Sequence, residues 1–470
     1  MVKFILNENE VSTALPSGMV LLDFIRYHQQ LKGTKIGCRE GDCGACTILV
    51  GEIYGDEMRY RSATSCLMPI GNANGKHIVT IEGINSSGLN PIQQAMADEG
   101  ATQCGFCTPG FVMSFAGHCL SGNEPTTNNA IACIDGNICR CTGYKSIERA
   151  AVRINELLAG RREEAASKFA VENNILPEYF SEIKTRLKLL NGALVNLHSE
   201  KTTEHQINFL AGGTDLYVQK HDAMIRADIS FLAANGLLSG ISKDGNRCIL
   251  GATTTVTDLS DSEIISTHFP AFAKYARLVS STQIRNMATL AGNFVNASPI
   301  GDFTVFFLAL NAVLVLSDGE NIREVPLNKF YKGYKVLDKK PEEFLEKIYF
   351  DLPDENSKFN FEKVSKRTHL DIAGVNTAIL LSMKGSIIVK ANISAGGVAP
   401  IPLFLSKTSA FLAAKAVSAE MIEEAIHIAQ TEIAPISDAR GSGEYKRLLL
   451  SQLIKAHFIE LFPSMKREMS

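Results

Sequence analysis

The pattern of apolar and polar positions in the first 85 residues predicts strands around a single helix. Strand-like runs stand in VKFILN, CTILVGEIYG and KHIVTIEG. Between the first two, VLLDFIRYH carries apolar residues at helical spacing. We therefore expect a small strand and helix domain over residues 1–86, of the β-grasp type, with a cysteine-rich loop inside it.

From about residue 90 to residue 155 the apolar spacing becomes helical. Four segments carry it, namely NPIQQAMADEG, TPGFVMSFAGHCL, TTNNAIACIDG and SIERAAVRINELLAG. Pro109 suits the first turn of a helix, where its missing N–H costs little. The pattern predicts a four-helix bundle over residues 87–160.

The rest of the chain divides by composition. Residues 161–185 are polar, contain Pro177 and are interpreted as an inter-domain linker rather than as a solvated helix of the bundle. Strand-like and helical runs alternate over 186–354, and an α+β segment follows over 355–470. The longest apolar run, FTVFFLALNAVLVL, is shorter than the roughly 20 residues of a membrane span and predicts buried core.

Composition is that of an ordinary globular protein, and the length suits about three domains. The chain has 470 residues, 45% of them hydrophobic and 21% charged, and a net charge of −3. A nucleic-acid or membrane-surface partner would call for a strong basic bias, which is absent. The start MVKFILNENEVS lacks the basic and apolar regions of a signal peptide, so we expect a cytoplasmic protein.

Eight of the eleven cysteines fall into two sets of four. The first set has the spacing C-x4-C-x2-C with one cysteine further on, and comprises Cys38, Cys43, Cys46 and Cys66. This is the plant-type ferredoxin spacing for a 2Fe-2S cluster, in which each iron takes two protein sulfurs. Gly37, Gly41 and Gly44 would let the loop wrap closely and direct N–H groups at the sulfurs.

The second set combines a C-x2-C with a distant C-x-C, and comprises Cys104, Cys107, Cys139 and Cys141. It also suits a 2Fe-2S cluster, although four cysteines could instead hold a structural zinc. Disulfides fit small secreted frameworks better than a chain of this length. The remaining Cys119, Cys133 and Cys248 lack ligand-like spacing and are interpreted as small buried hydrophobes.

Two glycine-rich segments, NFLAGGTDLYVQ and TLAGNFVNASPIGD, indicate a nucleotide site. Glycines after a strand allow backbone N–H groups to approach a pyrophosphate, although a Gly-Gly pair there is most often only a turn. The Rossmann fingerprint GxGxxG is absent, so a flavin in another fold is favoured over a nicotinamide domain.

Taken together, these segments resemble the iron–sulfur and FAD subunit of bacterial xanthine dehydrogenases, within the molybdenum hydroxylase family. The resemblance rests on CREGDCGACT, QCGFCTPG, CRCTGY, AGGTDL, QIRNMATLAGN and ASPIGD, in the family's order. It implies a multidomain α+β fold with a ferredoxin-like domain, a helical 2Fe-2S domain, an FAD domain of the vanillyl-alcohol-oxidase type and a C-terminal α/β domain. It also implies a separate large subunit that carries molybdopterin, an α2β2 heterotetramer, and NAD as electron acceptor.

The resemblance further implies roles for individual residues. Gln103 matches a glutamine that hydrogen-bonds the pterin, whereas an ordinary helix-end glutamine is the alternative. Lys363 matches a lysine near the flavin, although a solvated surface lysine is the commoner case. The implied FAD contacts are Leu210, Ala211, Gly212, Gly213, Thr214, Asp215, Leu216, Thr289, Gly292, Asn293, Ser298, Asp302, Leu345 and Lys363.

One departure concerns the electron acceptor. Relatives carry an aromatic residue near the flavin before the QIRN segment, where this chain has Val279 and Ser280. Loss of that ring leads us to expect a flavin more open to oxygen. The alternatives to a xanthine-type enzyme are a hydroxylase of another N-heterocycle or an aldehyde, an independent flavin diaphorase, and a scaffold with two structural zincs.

Overall fold

The computed structural model describes residues 1–161, 165–192, 208–234 and 236–467, and the chain forms two units. The first unit comprises Met1–Ala234 with Ser281–Ala288, and the second comprises Asn235–Ser280 with Thr289–Ser470. Each is a mixture of helices and sheets, which confirms the expected α+β class. Short 3-10 turns connect the elements at Ile70–Ala73, Ile81–Ile84, Leu232–Ala234, Gly236–Leu238 and Pro463–Arg467.

The predicted strands of the amino-terminal domain form one five-stranded sheet. Its strands are β1 Val2–Leu6, β2 Asn9–Thr13, β3 Thr47–Tyr54, β4 Glu57–Thr64 and β5 His77–Val79. The order is β2-β1-β5-β3-β4, with β1 and β5 parallel. Helix α1, Leu21–Asp23, continues as a π-helical turn over Phe24–His28. Its apolar face packs on the sheet through Leu21 and Phe24, both buried, as the helical spacing predicts.

The four predicted helices of the second domain are also present. They are α2 Pro91–Asp98, α3 Thr108–Leu120, α4 Thr127–Ala132 and α5 Lys145–Leu157. A capping box between Asn90 and Gln93 begins α2, and Pro109 stands in the first turn of α3. Phe111, Phe115 and Ile147 lie fully buried in the common core. The bundle prediction is confirmed.

The expectation of a polar linker over residues 161–185 is wrong. The segment contains α6 Ala166–Glu172 and the start of α7 Phe180–Gly192, while residues 162–164 lie outside the described ranges. Phe169, Leu176 and Phe180 are buried in the core that the helical bundle forms. The average composition of the segment does not reveal these apolar positions, because charged side chains occupy the outer faces of the same helices.

Replacing Phe180 by alanine is expected to lower the free energy of unfolding by about 3–5 kcal/mol, as for other buried phenylalanines. The Phe180 ring is 4% exposed and lies 5.4 Å from the ring of His77 and 5.6 Å from that of Tyr60, centroid to centroid. Urea unfolding measures the change. Leu189→Ala, on the same helix but 73% exposed, is the matched control. Equal stability of the two variants would restore the linker interpretation.

A parallel strand pair follows in the first unit. Strands β6 Asn208–Leu210 and β7 Ile229–Phe231 are connected through α8 Leu216–Gln219 and α9 His221–Ile225. The first glycine-rich segment is the turn between β6 and α8. Residues 193–207 and 235 of the predicted domain 186–354 lie outside the described ranges.

The second unit begins with strands β8 Ile241–Asp244 and β9 Arg247–Gly251 and helices α10 Val256–Asp261, α11 Glu263–His268 and α12 Phe272–Arg277. Helix α13, Thr282–Arg285, belongs to the first unit. The second unit continues with α14 Leu290–Asn296, α15 Asp302–Ala309, β10 Val313–Ser317, β11 Ile322–Pro326, α16 Leu327–Phe330, β12 Tyr331–Gly333, β13 Val336–Leu337 and β14 Phe344–Asp351.

An antiparallel sheet in the order β11-β10-β14-β9-β8 organises this part, with β12 and β13 as a separate hairpin. The long apolar run 303–316 forms most of α15 and the start of β10. Its Phe306, Phe307 and Leu314 are buried, as expected for core. Among the described residues, no helix is long and apolar enough to cross a membrane.

The carboxy-terminal part is a sheet covered by helices. Its elements are β15 Ser357–Val364, β16 Val375–Lys384, β17 Ile387–Gly396, β18 Leu403–Phe404, α17 Ser406–Leu412, β19 Lys415–Ala416, α18 Ala419–Glu432 and α19 Gly443–Leu461. The strand order is β15-β16-β17-β18, and β19 also pairs with β17. Ile379, Ile422 and Leu450 contribute to one buried core between sheet and helices.

Candidate functional site

Three cysteines of the first set lie in the loop before β3, and the fourth, Cys66, follows β4. Their four thiols form two pairs. Cys38 is hydrogen-bonded to Cys43, and Cys46 to Cys66. The backbone N–H of Cys38 donates to Cys43 Sγ at 3.3 Å. Sharing a hydrogen bond with the Cys43 thiol lowers the pKa of Cys38 to about 5 and raises the pKa of Cys43. The lowered pKa favours the thiolate of Cys38, which is the form that binds metal.

Two glycines of this loop permit the close approach. A Cβ at Gly37 would lie 2.5 Å from Cys43 Sγ, so any side chain there would displace the sulfur. Gly44 has φ +65°, the left-handed region that favours glycine, and a Cβ there would meet Gly136 O at 2.5 Å. The glycines therefore shape the loop, as their positions in the sequence indicate.

The second cysteine set joins the start of α3 to the loop before α5. Cys104 Sγ and Cys141 Sγ lie 3.6 Å apart, and Cys107 is hydrogen-bonded to Cys139. The N–H of Cys141 and the hydroxyl of Thr142 donate to Cys139 Sγ at 3.5 Å and 3.2 Å. Cys104 and Cys141 are exposed, whereas Cys139 is buried.

Both sets have the chemistry that a 2Fe-2S cluster needs. Four thiols in two pairs supply two sulfurs to each iron, and N–H groups directed at sulfur stabilise the negative charge of a cluster. Within the described ranges, no group of three or more His, Cys, Asp and Glu side chains is arranged to hold one metal ion. Two thiols for each of two bridged irons form the ligand set of a 2Fe-2S cluster, whereas a structural zinc takes its four ligands around one point.

The two cysteine sets are directly connected by hydrogen bonds. The N–H of Ile138, next to Cys139, donates to the carbonyl oxygen of Cys43 at 3.0 Å. Asn137 Nδ2 donates to the carbonyl oxygen of Gly44 at 3.1 Å. Sequence reasoning missed Asn137, because an asparagine in a loop carries no signal of a partner 93 residues away.

The first glycine-rich segment forms a tight turn in the first unit. Gly213 has φ +80°, and a Cβ at Gly212 would lie 2.0 Å from the carbonyl oxygen of Met287. The carbonyl of Ala211 accepts a hydrogen bond from Asn72 Nδ2 at 2.8 Å. The turn can therefore hold only glycine at these two positions, which suits a backbone cradle for a pyrophosphate.

Gly212→Ala is expected to abolish most of the bound flavin, since the new methyl group would collide with backbone rather than with a flexible side chain. The flavin content of the purified protein measures the effect. Gly88→Ala is the control, because nothing lies within 4 Å of a Cβ at that exposed glycine. Full flavin content in Gly212→Ala would remove this turn from the nucleotide site.

The second glycine-rich segment lies in the second unit and is ordered by its own side chains. Thr289 Oγ1 accepts from the N–H of Gly292 at 3.2 Å and caps α14. Asn293 Oδ1 accepts from the N–H of Thr304 at 3.1 Å, and Ser298 Oγ from the N–H of Ile300 at 3.4 Å. These contacts bring the predicted residues of 289–302 into one small region.

Asp302 and Lys363 form a buried ion pair. Lys363 Nζ lies 2.8 Å from Asp302 Oδ2, and the side chains are 2% and 12% exposed. Asn376 Nδ2 donates to Asp302 Oδ1 at 2.6 Å, and Lys363 also donates to the carbonyl of Leu278 at 2.7 Å. Burial raises the pKa of Asp302, while the ammonium of Lys363 acts in the opposite direction. The surface interpretation of Lys363 is therefore wrong.

The remaining predicted residues are placed as follows. Leu345 is buried on β14, opposite Leu316 of β10. Gln103 is exposed directly before Cys104. The predicted flavin residues 210–216 belong to the first unit, and those from Thr289 onward to the second. Their common role in one flavin site, the contact of Gln103 with a pterin and the assignment of Leu345 stay predictions.

Four family models match the chain in succession. They are the 2Fe-2S iron-sulfur cluster binding domain at residues 4–71, the [2Fe-2S] binding domain at 80–152, the FAD binding domain in molybdopterin dehydrogenase at 191–353, and the CO dehydrogenase flavoprotein C-terminal domain at 361–461.

Curated relatives match along most of the chain. Similar proteins include xanthine dehydrogenase of Emericella nidulans, 29% identical over 88% of the chain, xanthine dehydrogenase 1 of Arabidopsis thaliana, 27% over 92%, and aldehyde oxidase 2 of Macaca fascicularis, 26% over 96%. The chain spans 35% of the first relative and 38% of each of the other two.

A solved structure of the Cu,Mo-CO dehydrogenase in its cyanide-inactivated form is similar at a TM-score of 0.51 and 27% identity, over 54% of this chain and 88% of that one. The two paired thiol sets and the glycine turn fit the cofactors named by the domain models. By these domains and relatives, the chain belongs to the molybdenum hydroxylase family, as its part with 2Fe-2S and FAD-binding domains.

Proposed function

We propose that the chain relays electrons from a molybdopterin-bearing partner, through two 2Fe-2S clusters, to FAD and on to NAD. The observation that carries this proposal is the hydrogen bond of 3.0 Å between Ile138 N and Cys43 O, which joins the two cysteine sets. A zinc scaffold has no need of such a connection, whereas electron transfer benefits from a short bonded route. The paired thiols hold the clusters, and their N–H and hydroxyl donors adjust the reduction potential.

The exposed half of the second cysteine set is the proposed point of entry. Cys104 and Cys141 are exposed, and Gln103 beside them is exposed as well. By the family resemblance, Gln103 forms a hydrogen bond with the pterin of a large subunit. The same resemblance implies an assembly that contains two copies of each chain. FAD, when bound, would collect single electrons from the clusters and pass two of them as a hydride to NAD. The turn 210–216 of the first unit is the proposed binding site of its pyrophosphate. Within the second unit, the Asp302–Lys363 pair fixes the start of α15 against β15.

The substrate of the partner is proposed to be a purine such as xanthine or hypoxanthine, because xanthine dehydrogenases match almost the whole chain. A second candidate is an aldehyde or another N-heterocycle, since an aldehyde oxidase matches 96% of the chain at 26% identity. Coexpression with the large subunit and assays with xanthine, hypoxanthine and benzaldehyde distinguish them. NADH formation with xanthine supports the purine substrate. Turnover of benzaldehyde without turnover of either purine supports the aldehyde instead.

The first experiment is the ultraviolet–visible spectrum of the purified chain, with iron, zinc and flavin quantified on the same sample. We expect about four irons and about one FAD per chain, with bands bleached by dithionite. Zinc in place of iron, or absence of flavin, contradicts the relay. Reduction of dyes by NADH without any partner tests the independent diaphorase. Rapid dye turnover in the isolated chain, with no gain from the partner, favours that alternative.

We expect faster turnover in air than under anaerobic conditions at the same NAD concentration. By the family resemblance, Val279 and Ser280 stand where an aromatic ring is expected, and Ser280 has φ +46°. Because that backbone conformation restricts substitution at 280, Val279→Phe is the variant that tests the ring. It should bring the aerobic rate closer to the anaerobic one. Equal aerobic and anaerobic rates in the unmodified enzyme would count against an oxygen-accessible flavin.

A further inference from the structure

The segment Ser281–Ala288 contacts both cysteine-bearing domains of the first unit. Toward the helical domain, Arg285 Nη2 lies 2.7 Å from Asp135 Oδ2, and the N–H of Thr282 donates to Asp135 Oδ1 at 2.7 Å. Toward the ferredoxin-like domain, Asn286 Nδ2 donates to the carbonyl of Ser62 at 2.8 Å. One short segment, distant along the chain, therefore ties the two domains together.

Gln283 occupies the centre of these contacts. Its side chain is fully buried, and Nε2 donates to Ser114 Oγ and to Asn137 Oδ1, both at 2.9 Å. Ser114 Oγ also donates to Asn137 Oδ1 at 2.7 Å, and Asn137 Nδ2 donates to Gly44 O at 3.1 Å. We call Gln283, Ser114, Asn137 and Gly44 the Gln283 node. It connects the loop before Cys139 to the residue after Cys43.

The Gln283 node is packed without spare room. A Cβ at Gly136 would lie 2.1 Å from Gln283 Oε1, and one at Gly110 would lie 2.3 Å from the carbonyl oxygen of Gly44. A Cβ at Gly44 would meet Asn137 Nδ2 at 2.5 Å. Close-packed interiors transmit displacements rather than absorb them. A change at Gln283 therefore has to move Asn137, and with it the backbone that joins the two cysteine loops.

We propose that Gln283 is a positioning residue that holds the two cluster-bearing loops at one separation and thereby sets the electronic coupling between the clusters. The proposal rests on the proposed function. In the step concerned, one electron leaves the reduced cluster of the helical domain, which is oxidised, and reduces the cluster of the ferredoxin-like domain. No bond forms or breaks. Gln283 acts through Asn137 and the carbonyl of Gly44, so its effect is on geometry and coupling.

The test is Gln283→Met in the full chain, since methionine has a similar length and no hydrogen-bond donor. Iron content and the visible spectrum should be retained. After full reduction with dithionite, the splitting in the electron paramagnetic resonance spectrum from spin–spin interaction between the two clusters should shrink or disappear. Electron equilibration between the clusters after flash photoreduction should slow several-fold. An unchanged splitting and an unchanged rate overturn the proposal.

Two further variants make the outcome specific. Gln94→Met makes the same replacement at an exposed glutamine of α2, outside the Gln283 node, and should leave the splitting and the rate unchanged. If Gln283→Met fails to assemble its clusters, Ser114→Ala decides, because it removes one hydrogen bond to Asn137 and should change the splitting in the same direction, by less. Absence of iron from the unmodified chain refutes the proposed function itself, and the inference with it. Intact clusters with no response in either variant refute the inference alone.

Discussion

Replacing Cys46 by serine is expected to empty the cluster site of the ferredoxin-like domain and to stop electron flow to the flavin. Cys46 is 3% exposed and hydrogen-bonded to the buried Cys66. A serine hydroxyl is a harder and less acidic ligand than a thiol. Because the position is buried, no solvent molecule can take the place of the missing thiolate ligand. The iron content should fall by about half, since one of two clusters is lost. The second cluster should keep its own paramagnetic signal.

The matched control for this prediction is Cys248→Ser, a fully buried cysteine of β9 in the second unit. It changes the same atom in a buried site without touching either cysteine set, so its iron content should equal that of the unmodified chain. Iron analysis and the spectrum of the dithionite-reduced protein measure both variants. Full iron in Cys46→Ser would remove Cys46 from the predicted ligands.

Replacing Lys363 by methionine is expected to lower the free energy of unfolding by about 3–5 kcal/mol, the range found when one partner of a buried ion pair is removed. Asp302 would remain buried and would keep only the hydrogen bond from Asn376. Lys363 also donates to the carbonyl of Leu278, which would lose this partner. The flavin content should fall as well, because the start of α15 would lose its fixed position.

The pH dependence identifies the cause of this loss. Burial raises the pKa of Asp302, and Lys363 counteracts the shift, so the pKa should rise further in Lys363→Met. A carboxyl whose pKa is raised in the folded state binds its proton more tightly there than in the unfolded chain, so its contribution to stability falls as the pH rises through the folded pKa. The deficit of Lys363→Met relative to the unmodified chain should thus be largest at neutral pH and shrink on acidification.

Unfolding at pH 7 and at pH 5 measures this difference. Lys390→Met is the control, since Lys390 lies on β17 of the same sheet and is exposed. Its stability should change by less than about 0.5 kcal/mol at either pH. A deficit in Lys363→Met that is independent of pH would indicate lost packing rather than an unpaired carboxylate.

Two expectations from the sequence missed side chains that are buried in the folded protein, because the composition of a short segment does not show which of its residues pack against distant ones. The segment 161–185 has a polar composition, yet Phe169 and Phe180 contribute to a core. For Lys363 the resemblance implies a place near the flavin, and the commoner alternative is a solvated surface. The side chain is buried against Asp302, 61 residues away. In both cases the deciding partner is distant in sequence, and composition over a window contains no information about it.

The sequence by itself determined the β-grasp sheet, the helical bundle and both cysteine sets, because these depend on the alternation of apolar residues and on short spacings along the chain. Glycine positions such as Gly37 were also readable, since close approach to a sulfur requires the absence of a Cβ. Only the tertiary structure decided the Gln283 node and the ion pair of Asp302. Gln283 and Asn137 are 146 residues apart, and a hydrogen bond over such a separation exists only after folding has brought two surfaces together.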